Sequence, residues 1–125
     1  MRSTVLIADD NAFVRTALYE IVEREPDLHV CAVVENGREA IEEACRLHPD
    51  LIVLDIAMPV MNGLEAARVL RQTMPNVPLI MYSANPNEVS EHSARSIGVS
   101  GLISKSEKVT VLIDTIRGVL HRRAA

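Results

Sequence analysis

The stretch that decides the fold is LIVLDIAMP, residues 51–59. Its four consecutive aliphatic residues are typical of a strand that is buried on both faces of a parallel sheet. The run ends at Asp55, so this carboxylate is expected at the C-terminal edge of the sheet, where open α/β sheets bind their ligands. Asp55 is therefore a candidate site residue, although a turn or a solvated strand end would also explain a single aspartate.

The size and composition of the chain are those of one ordinary globular domain. It has 125 residues, of which 48% are hydrophobic and 24% are charged, as expected for a folded domain. A net charge of −4, two tyrosines, one phenylalanine and no tryptophan argue against direct nucleic acid binding. The sequence has neither an apolar run long enough to span a membrane nor a signal-peptide core. We expect a cytoplasmic protein without membrane contact.

The two cysteines and four histidines suggest no metal or disulfide chemistry. Cys31 and Cys45 lack the spacing of a CxxC motif, and no pair of histidines has metal-ligand spacing. Both cysteines occur among apolar residues, so we predict that they are buried, reduced thiols.

Apolar patterning divides the chain into five strands that alternate with five helices. The strands are predicted at Thr4–Ala8, His29–Val34, Leu51–Leu54, Leu79–Ser83 and Gly101–Ser104. The helices are predicted around residues 14–22, 40–45, 64–74, 85–97 and 109–120, the fourth being weak because serines dilute it. Strict alternation implies right-handed crossovers and a parallel sheet with helices on both faces. We predict a single α/β domain over residues 1–125, with the (βα)5 flavodoxin-like fold and strand order 2-1-3-4-5.

Polar residues follow four of the five predicted strands at the same edge of the sheet. They are Asp9, Asp10, Asp55, Ser83 and Lys105. Three clustered carboxylates repel one another unless a cation is present, and carboxylate oxygens are ligands that Mg²⁺ prefers. A lysine and a serine can bind phosphate oxygens, and a central carboxylate can accept a phosphoryl group.

These residues, with two short motifs nearby, resemble the signature of the receiver domains of two-component response regulators. The matching residues are Asp9-Asp10, Asp55, Met58-Pro59, Asn62-Gly63, Ser83-Ala84 and Lys105. The resemblance covers essentially the whole chain. It implies that Asp55 accepts a phosphoryl group from a sensor histidine kinase or from a small donor such as acetyl phosphate. It also implies that Mg²⁺ is held by Asp9, Asp10, Asp55 and the carbonyl of Ala57, with Ser83 as the switch hydroxyl and Lys105 as the phosphoryl partner.

The resemblance also implies how such a domain signals. Phosphorylation would change the face formed by the fourth helix, the fifth strand and the fifth helix, and activation would involve a homodimer. The chain would be a phosphoacceptor with intrinsic autodephosphorylation, not an enzyme acting on a separate substrate. Two segments, Arg38–Ile41 and Ile116–Val119, resemble receivers that precede a LuxR-type helix-turn-helix domain. We therefore expect a transcriptional output through a DNA-binding domain outside these 125 residues.

Two positions depart from the family pattern. Leu102 stands where many receivers carry an aromatic switch residue, and Tyr82 is the nearest substitute, although a tyrosine that simply packs in the core is favoured. Ser106 stands where the family usually has a proline after a cis peptide bond. Because a cis bond before a residue other than proline costs about 2.5–4 kcal/mol, we predict a trans bond between Lys105 and Ser106.

Three alternatives remain open. The first is a pseudo-receiver that acts by protein–protein interaction without phosphorylation, and the departures at Leu102 and Ser106 support this alternative. A flavin-binding electron carrier would need a hydroxyl- and glycine-rich loop and stacking aromatics, which Asp9–Ala12 does not offer. A phosphatase with an Asp-x-Asp nucleophile would need an acid where Asn11 stands.

Overall fold

In a computed structural model, which describes residues 2–84 and 91–124, strands and helices alternate along these two ranges. The strands are β1 (Ser3–Ala8), β2 (Leu28–Val34), β3 (Leu51–Leu54), β4 (Leu79–Ser83) and β5 (Gly101–Ser104). The helices are α1 (Ala12–Glu23), α2 (Gly37–Leu47), α3 (Gly63–Thr73), α4 (Glu91–Ile97) and α5 (Val109–Ala124). The first part of the predicted fourth helix, residues 85–90, lies outside the described residues.

All five strands are parallel and lie in the order β2-β1-β3-β4-β5. This confirms the predicted fold class and strand order. β3 is in the middle of the sheet, and all four of its residues are buried, as the continuous aliphatic run predicted. The β1–β2 register shifts between Val5 and Leu6, so Cys31 is an extra residue in β2. Its thiol contacts the Val5 carbonyl at 3.6 Å.

The core has two halves, one on each face of the sheet. One half is formed by residues of α2, α3 and α4, including Ala44, Leu70 and Ala94, packed against one set of strand side chains. The other half is formed by α1 and α5, including Leu18 and Ile116, packed against the alternate set. Burying both faces holds the sheet rigid, so that its C-terminal edge can present polar residues in fixed positions.

Three helices begin at an asparagine that caps the first turn. The Asn11 side chain accepts from the Val14 amide at 3.1 Å, so Asn11 is the N-cap of α1. Asn36 caps α2 in the same way, and Asn62 forms a reciprocal capping box with Glu65 at α3. Each cap lies at the end of the sheet where the polar residues cluster, so it also sets the direction in which the chain leaves that edge.

Two smaller predictions have clear outcomes, one on a peptide bond and one on the cysteines. Every peptide bond in the described part of the chain is trans, so the predicted trans bond at Lys105–Ser106 is confirmed. The prediction of two buried thiols is wrong for Cys45, which is exposed, while Cys31 is partly buried. Cys45 lies beside Ala44 on α2, at the border of the apolar stripe and not on it. The helices in the described ranges include none that is both long and apolar enough to cross a bilayer.

Candidate functional site

The parallel register brings the ends of β1 and β3 together. Ala8 is paired with Leu54, and the Asp55 amide donates to the Ala8 carbonyl at 2.9 Å. Asp9 and Asp55 therefore leave neighbouring strands side by side. Both are buried, with relative exposures of 1% and 5%, while the adjacent Asp10 is exposed. This is the arrangement that the strand-end pattern predicted.

The three carboxylates form a cluster that suits a small, hard cation. Asp9, Asp10 and Asp55 each offer an oxygen, and the three oxygens lie within 4.8 Å of one another. Acid oxygens completed by water are the donor set that Mg²⁺ prefers. The residues therefore fit the predicted metal. Ala57, whose carbonyl was expected to join the set, lies exposed on the loop two residues after Asp55.

Lys105 reaches into the same cluster from the end of β5. Its Nζ lies 2.6 Å from Asp9 Oδ2 and 3.4 Å from Asp55 Oδ2. Its backbone amide donates to the Ser83 carbonyl at 2.7 Å, which fixes the start of the β5–α5 loop against the end of β4. The lysine therefore comes close to two of the three acids.

The electrostatics of the cluster separate Asp55 from an ordinary surface aspartate. Burial, followed by the negative charge of Asp9, raises the pKa of Asp55 to about 6, although Lys105 opposes this increase. Burial lowers the pKa of Lys105, but its hydrogen bond to Asp9 and the charges of Asp9 and Asp55 outweigh that effect and raise it overall. Asp55 thus carries a charge near neutral pH only at a cost, which a bound cation would reduce.

The loop after β3 holds Asp55 in place through Gly63. The Gly63 amide donates to the Ile56 carbonyl at 2.8 Å, and a Cβ at Gly63 would overlap the carbonyl group of Asp55. The Gly37 amide in turn donates to the Met61 carbonyl at 2.8 Å, so the start of α2 braces this loop. Gly63 is therefore needed for this close backbone approach. The sequence offered Asn62-Gly63 as a family motif, but it did not indicate this contact with Asp55.

The remaining predicted residues lie on β4 and β5. Ser83 is buried at the end of β4. Tyr82 is also buried, in the core half shared with α1 and α5, and its ring centroid is 5.9 Å from Lys105 Nζ. Leu102 is partly buried and packs on the opposite core half, beside α3 and α4. Tyr82 therefore packs in the core, as the favoured interpretation expected, and also borders the lysine.

Ser106 uses the donor that a proline would lack. Its amide contacts Ser104 Oγ at 3.2 Å, and the two serine hydroxyls are 2.7 Å apart. This local bonding closes the turn after Lys105 with a trans peptide. These serine contacts, and not a proline, therefore shape the loop that keeps Lys105 near the acids.

Arg15 is a residue at this site that the sequence did not reveal. Its Nη1 donates to the Asp9 carbonyl at 2.9 Å. The available signal was its place in the first turn of α1, because helical side chains point back toward the N-terminus. Nothing in the sequence distinguished this arginine from one exposed to solvent.

Comparisons with known proteins agree with this geometry. Residues 5–117 match the family model described as the response regulator receiver domain. A protein-glutamate methylesterase/protein-glutamine glutaminase from Shewanella frigidimarina is 45% identical in an alignment that covers 98% of this chain and 33% of that protein. A protein of the same description from Methanosarcina acetivorans is 35% identical over 91% of this chain and 35% of its own length. The chain thus spans about a third of the length of these two relatives.

Two solved structures extend the comparison. The response regulator domain of Thermotoga maritima CheB has a TM-score of 0.89 and 31% identity, with 97% of this chain and 98% of that chain covered. A LuxR-family two-component response regulator from Aurantimonas sp. SI85-9A1 has a TM-score of 0.92 and 26% identity, with 98% and 88% covered. Relatives with different outputs therefore share this domain, and the specific likeness to LuxR-type regulators is not confirmed. On the family match and the acidic strand-end site together, the chain belongs to the response regulator receiver domain family.

Proposed function

We propose that this domain is a phosphorylation switch in which Asp55 accepts the phosphoryl group. The observation that carries the proposal is the placement of one buried carboxylate between two further acids and the ammonium group of Lys105. A structural role for Asp55 would not require a carboxylate whose charge is opposed by burial and by Asp9.

The reaction is an in-line displacement at phosphorus. A carboxylate oxygen of Asp55 forms the new P–O bond while the bond to the donor breaks, and the donor's histidine nitrogen or acetate oxygen takes the bonding electron pair. Asp9, Asp10, Asp55 and the carbonyl of Ala57 would hold Mg²⁺. When bound, this ion supplies the positive charge that offsets the phosphoryl oxygens. Lys105 leaves Asp9 to pair with one of these oxygens, and the Ser83 hydroxyl donates to another.

The switch follows from the position of these two residues. Ser83 ends β4 and Lys105 follows β5, so contacts made by both with the phosphoryl group would pull on the ends of these two strands. Phosphorylation would shift an existing equilibrium of the α4–β5–α5 face instead of building a new structure. With Leu102 in place of an aromatic residue, the movement would not depend on a ring turning inward at that position. The ring of Tyr82 borders Lys105, so Tyr82 would instead move when the lysine moves.

The partner that supplies the phosphoryl group would be a cognate sensor histidine kinase in the cytoplasm. We further propose a homodimer on activation and no direct contact of this domain with nucleic acid or membrane. The alternative is a pseudo-receiver that binds its partner without phosphorylation. It predicts that the same partner affinity is measured with and without a phosphoryl donor.

Two outputs are consistent with the domain. Transcription regulation through a LuxR-type DNA-binding domain has support from a close structural match at 26% identity. An enzymatic output like that of the methylesterase relatives has support from the higher identity of 45%. Assaying the full-length protein for phosphorylation-dependent DNA binding and for protein methyl ester hydrolysis separates these two outputs.

The proposal is tested by incubating the domain with Mg²⁺ and acetyl phosphate and measuring its intact mass. Addition of one phosphoryl group to the wild type, its absence in Asp55→Asn and its loss on removal of Mg²⁺ are expected. If acetyl phosphate fails, binding of beryllofluoride, which mimics a phosphoryl group, is measured next. Failure of both would favour the pseudo-receiver.

A further inference from the structure

Asp9 is held from several directions, each by a different part of the fold. Its amide donates to the Val34 carbonyl at 3.0 Å, and its Oδ1 accepts from the Asn11 amide at 2.9 Å. Its Oδ2 pairs with Lys105. Its carbonyl accepts from Arg15 Nη1 at 2.9 Å. Two side chains are on this list: Lys105 has a role in the proposed phosphoacceptor chemistry, and Arg15 has none.

The carbonyl that Arg15 binds belongs to the peptide group joining Asp9 to Asp10. A peptide group is planar, so holding its oxygen fixes the plane from which both residues project. Asp9 is buried and has its own side-chain contacts, but Asp10 is exposed. The direction of the Asp10 carboxylate therefore depends strongly on the backbone that Arg15 holds.

Arg15 is itself held at a second point. Its side chain is 19% exposed, and its second nitrogen, Nη2, lies 3.4 Å from Glu35 Oε1 just after β2. The guanidinium thus spans from the β1–α1 turn to the β2–α2 turn. Its planar shape lets one side chain make both contacts, which a lysine ammonium cannot reproduce.

We infer that Arg15 is a positioning residue that orients the Asp9–Asp10 peptide so that both carboxylates are ready to bind a divalent cation. This inference rests on the proposed function, because it concerns the same acidic site. Residues that hold metal ligands from outside commonly contribute about 10- to 100-fold to metal affinity. Arg15 acts through one carbonyl bond, so we expect an effect near the lower limit.

The alternative role for Arg15 makes the opposite prediction. A guanidinium close to the acids repels a divalent cation, so an arginine that acted only through its charge would weaken Mg²⁺ binding. Removing it would then tighten the binding of Mg²⁺, whereas removing a positioning residue weakens it. The sign of the change distinguishes the two roles without reference to catalytic activity.

The test is calorimetric titration of the full chain with Mg²⁺ at fixed ionic strength, because the sequence has no tryptophan to report binding. Arg15→Met is expected to raise the Kd for Mg²⁺ about tenfold. Arg15→Lys keeps the charge and is expected to raise it by less. Arg117→Gln is the matched control. Arg117 also donates hydrogen bonds from its guanidinium group, but to Glu25 and Asp27, beyond the end of α1 that lies away from the acid cluster. This control variant is expected to lower the stability and leave the Kd unchanged.

Thermal unfolding without metal shows whether each variant is folded. If Arg15→Met does not fold, Glu35→Gln is the second test, because it removes a partner of Arg15 without replacing the arginine. A Kd for Arg15→Met that is unchanged or lower would overturn the inference, as would an equal increase in Arg117→Gln. Failure of the wild type itself to bind Mg²⁺ would overturn the metal site of the proposed function and this inference with it. Normal binding by the wild type without phosphorylation would count against the proposed function alone.

Discussion

The ammonium group of Lys105 lies 2.6 Å from Asp9 Oδ2, closer than its 3.4 Å distance from Asp55. The lysine is therefore paired mainly with a proposed metal ligand and not with the proposed phosphoacceptor. It provides part of the positive charge that the acid cluster needs. A phosphoryl group on Asp55 would have to draw this lysine away from Asp9, and this movement connects the chemistry to the β5–α5 loop.

The first prediction concerns Lys105→Met. Without metal, the free energy of unfolding is expected to fall by about 3 kcal/mol, because a buried carboxylate loses its partner. The affinity for Mg²⁺ is expected to rise, because the ion no longer competes with the ammonium group. The rate of phosphorylation is expected to fall. Calorimetric titration and urea unfolding measure the first two effects, with the exposed Lys108→Met as control. Weaker Mg²⁺ binding in Lys105→Met would contradict this account.

The second prediction is a pH dependence of stability at Asp55. Its pKa is about 6 in the folded chain and 3.8 in an ordinary carboxyl group. The unfolded chain therefore loses this proton at lower pH than the folded chain does, and the wild type loses stability as pH rises between these values. Asp55→Asn removes this effect. It is expected to be more stable than the wild type by up to about 3 kcal/mol above pH 6, with the difference vanishing near pH 4.

A control with the opposite sign is available for the pH experiment. The hydrogen bond from Arg117 lowers the pKa of Asp27, so Asp27 contributes stability that is present above the ordinary carboxyl pKa and lost as pH falls. Asp27→Asn is expected to be less stable than the wild type at neutral pH, with the difference shrinking in acid. Urea unfolding of the metal-free proteins from about pH 2.5 to about pH 7.5 tests both signs, because the Asp27 effect is lost only below the ordinary carboxyl pKa. Equal pH profiles for the wild type and Asp55→Asn would contradict the assignment.

The third prediction concerns the glycine that contacts Asp55. Gly63→Ala is expected to lower the free energy of unfolding by about 2 kcal/mol or more, because the new methyl group would overlap the Asp55 carbonyl. It is also expected to slow phosphorylation by displacing Asp55. Gly118→Ala is the control: Gly118 lies inside α5, where alanine is expected to stabilise the helix by up to about 1 kcal/mol. An unchanged phosphorylation rate in Gly63→Ala would show that this contact does not position Asp55.

The fourth prediction concerns a strained residue in the same loop. Val60 has a φ of 67° and is 75% exposed, and the Met61 amide donates to the Pro59 carbonyl across it at 2.6 Å. A γ-turn with positive φ is rare and strained, particularly for a β-branched residue. Val60→Asn is expected to raise the free energy of unfolding by about 1 kcal/mol, whereas Val60→Ala should gain less. Urea unfolding measures the free energy of unfolding of both variants. A Val60→Asn variant less stable than the wild type would argue against strain at residue 60.

The sequence was informative where periodicity decides the structure. The aliphatic run before Asp55 predicted a fully buried β3, and the alternation of elements predicted the strand order that brings Asp9 beside Asp55. The trans bond at Ser106 followed from the cost of the cis form. In each case, a local or topological rule was sufficient.

The sequence was less informative where a contact joins distant parts of the chain. The bonds from Arg15 to the Asp9 carbonyl and Glu35 depend on how α1 packs on the sheet. No local sequence pattern predicts that packing. Cys45 was placed inside because its neighbours are apolar, but it lies just beyond the buried stripe of α2. The positive φ of Val60 contradicts its local preference, because the loop is held at Gly63 and by the paired bonds around it.

The most direct test of the central claim is to identify the phosphorylated residue. The wild-type domain is phosphorylated with acetyl phosphate in the presence of Mg²⁺, reduced with borohydride to convert an aspartyl phosphate to homoserine, and mapped by peptide mass. The account predicts homoserine at residue 55 and none at residues 9 and 10. Conversion at Asp9 or Asp10 in place of Asp55, or a folded domain that binds neither a phosphoryl group nor beryllofluoride with Mg²⁺ present, would contradict it.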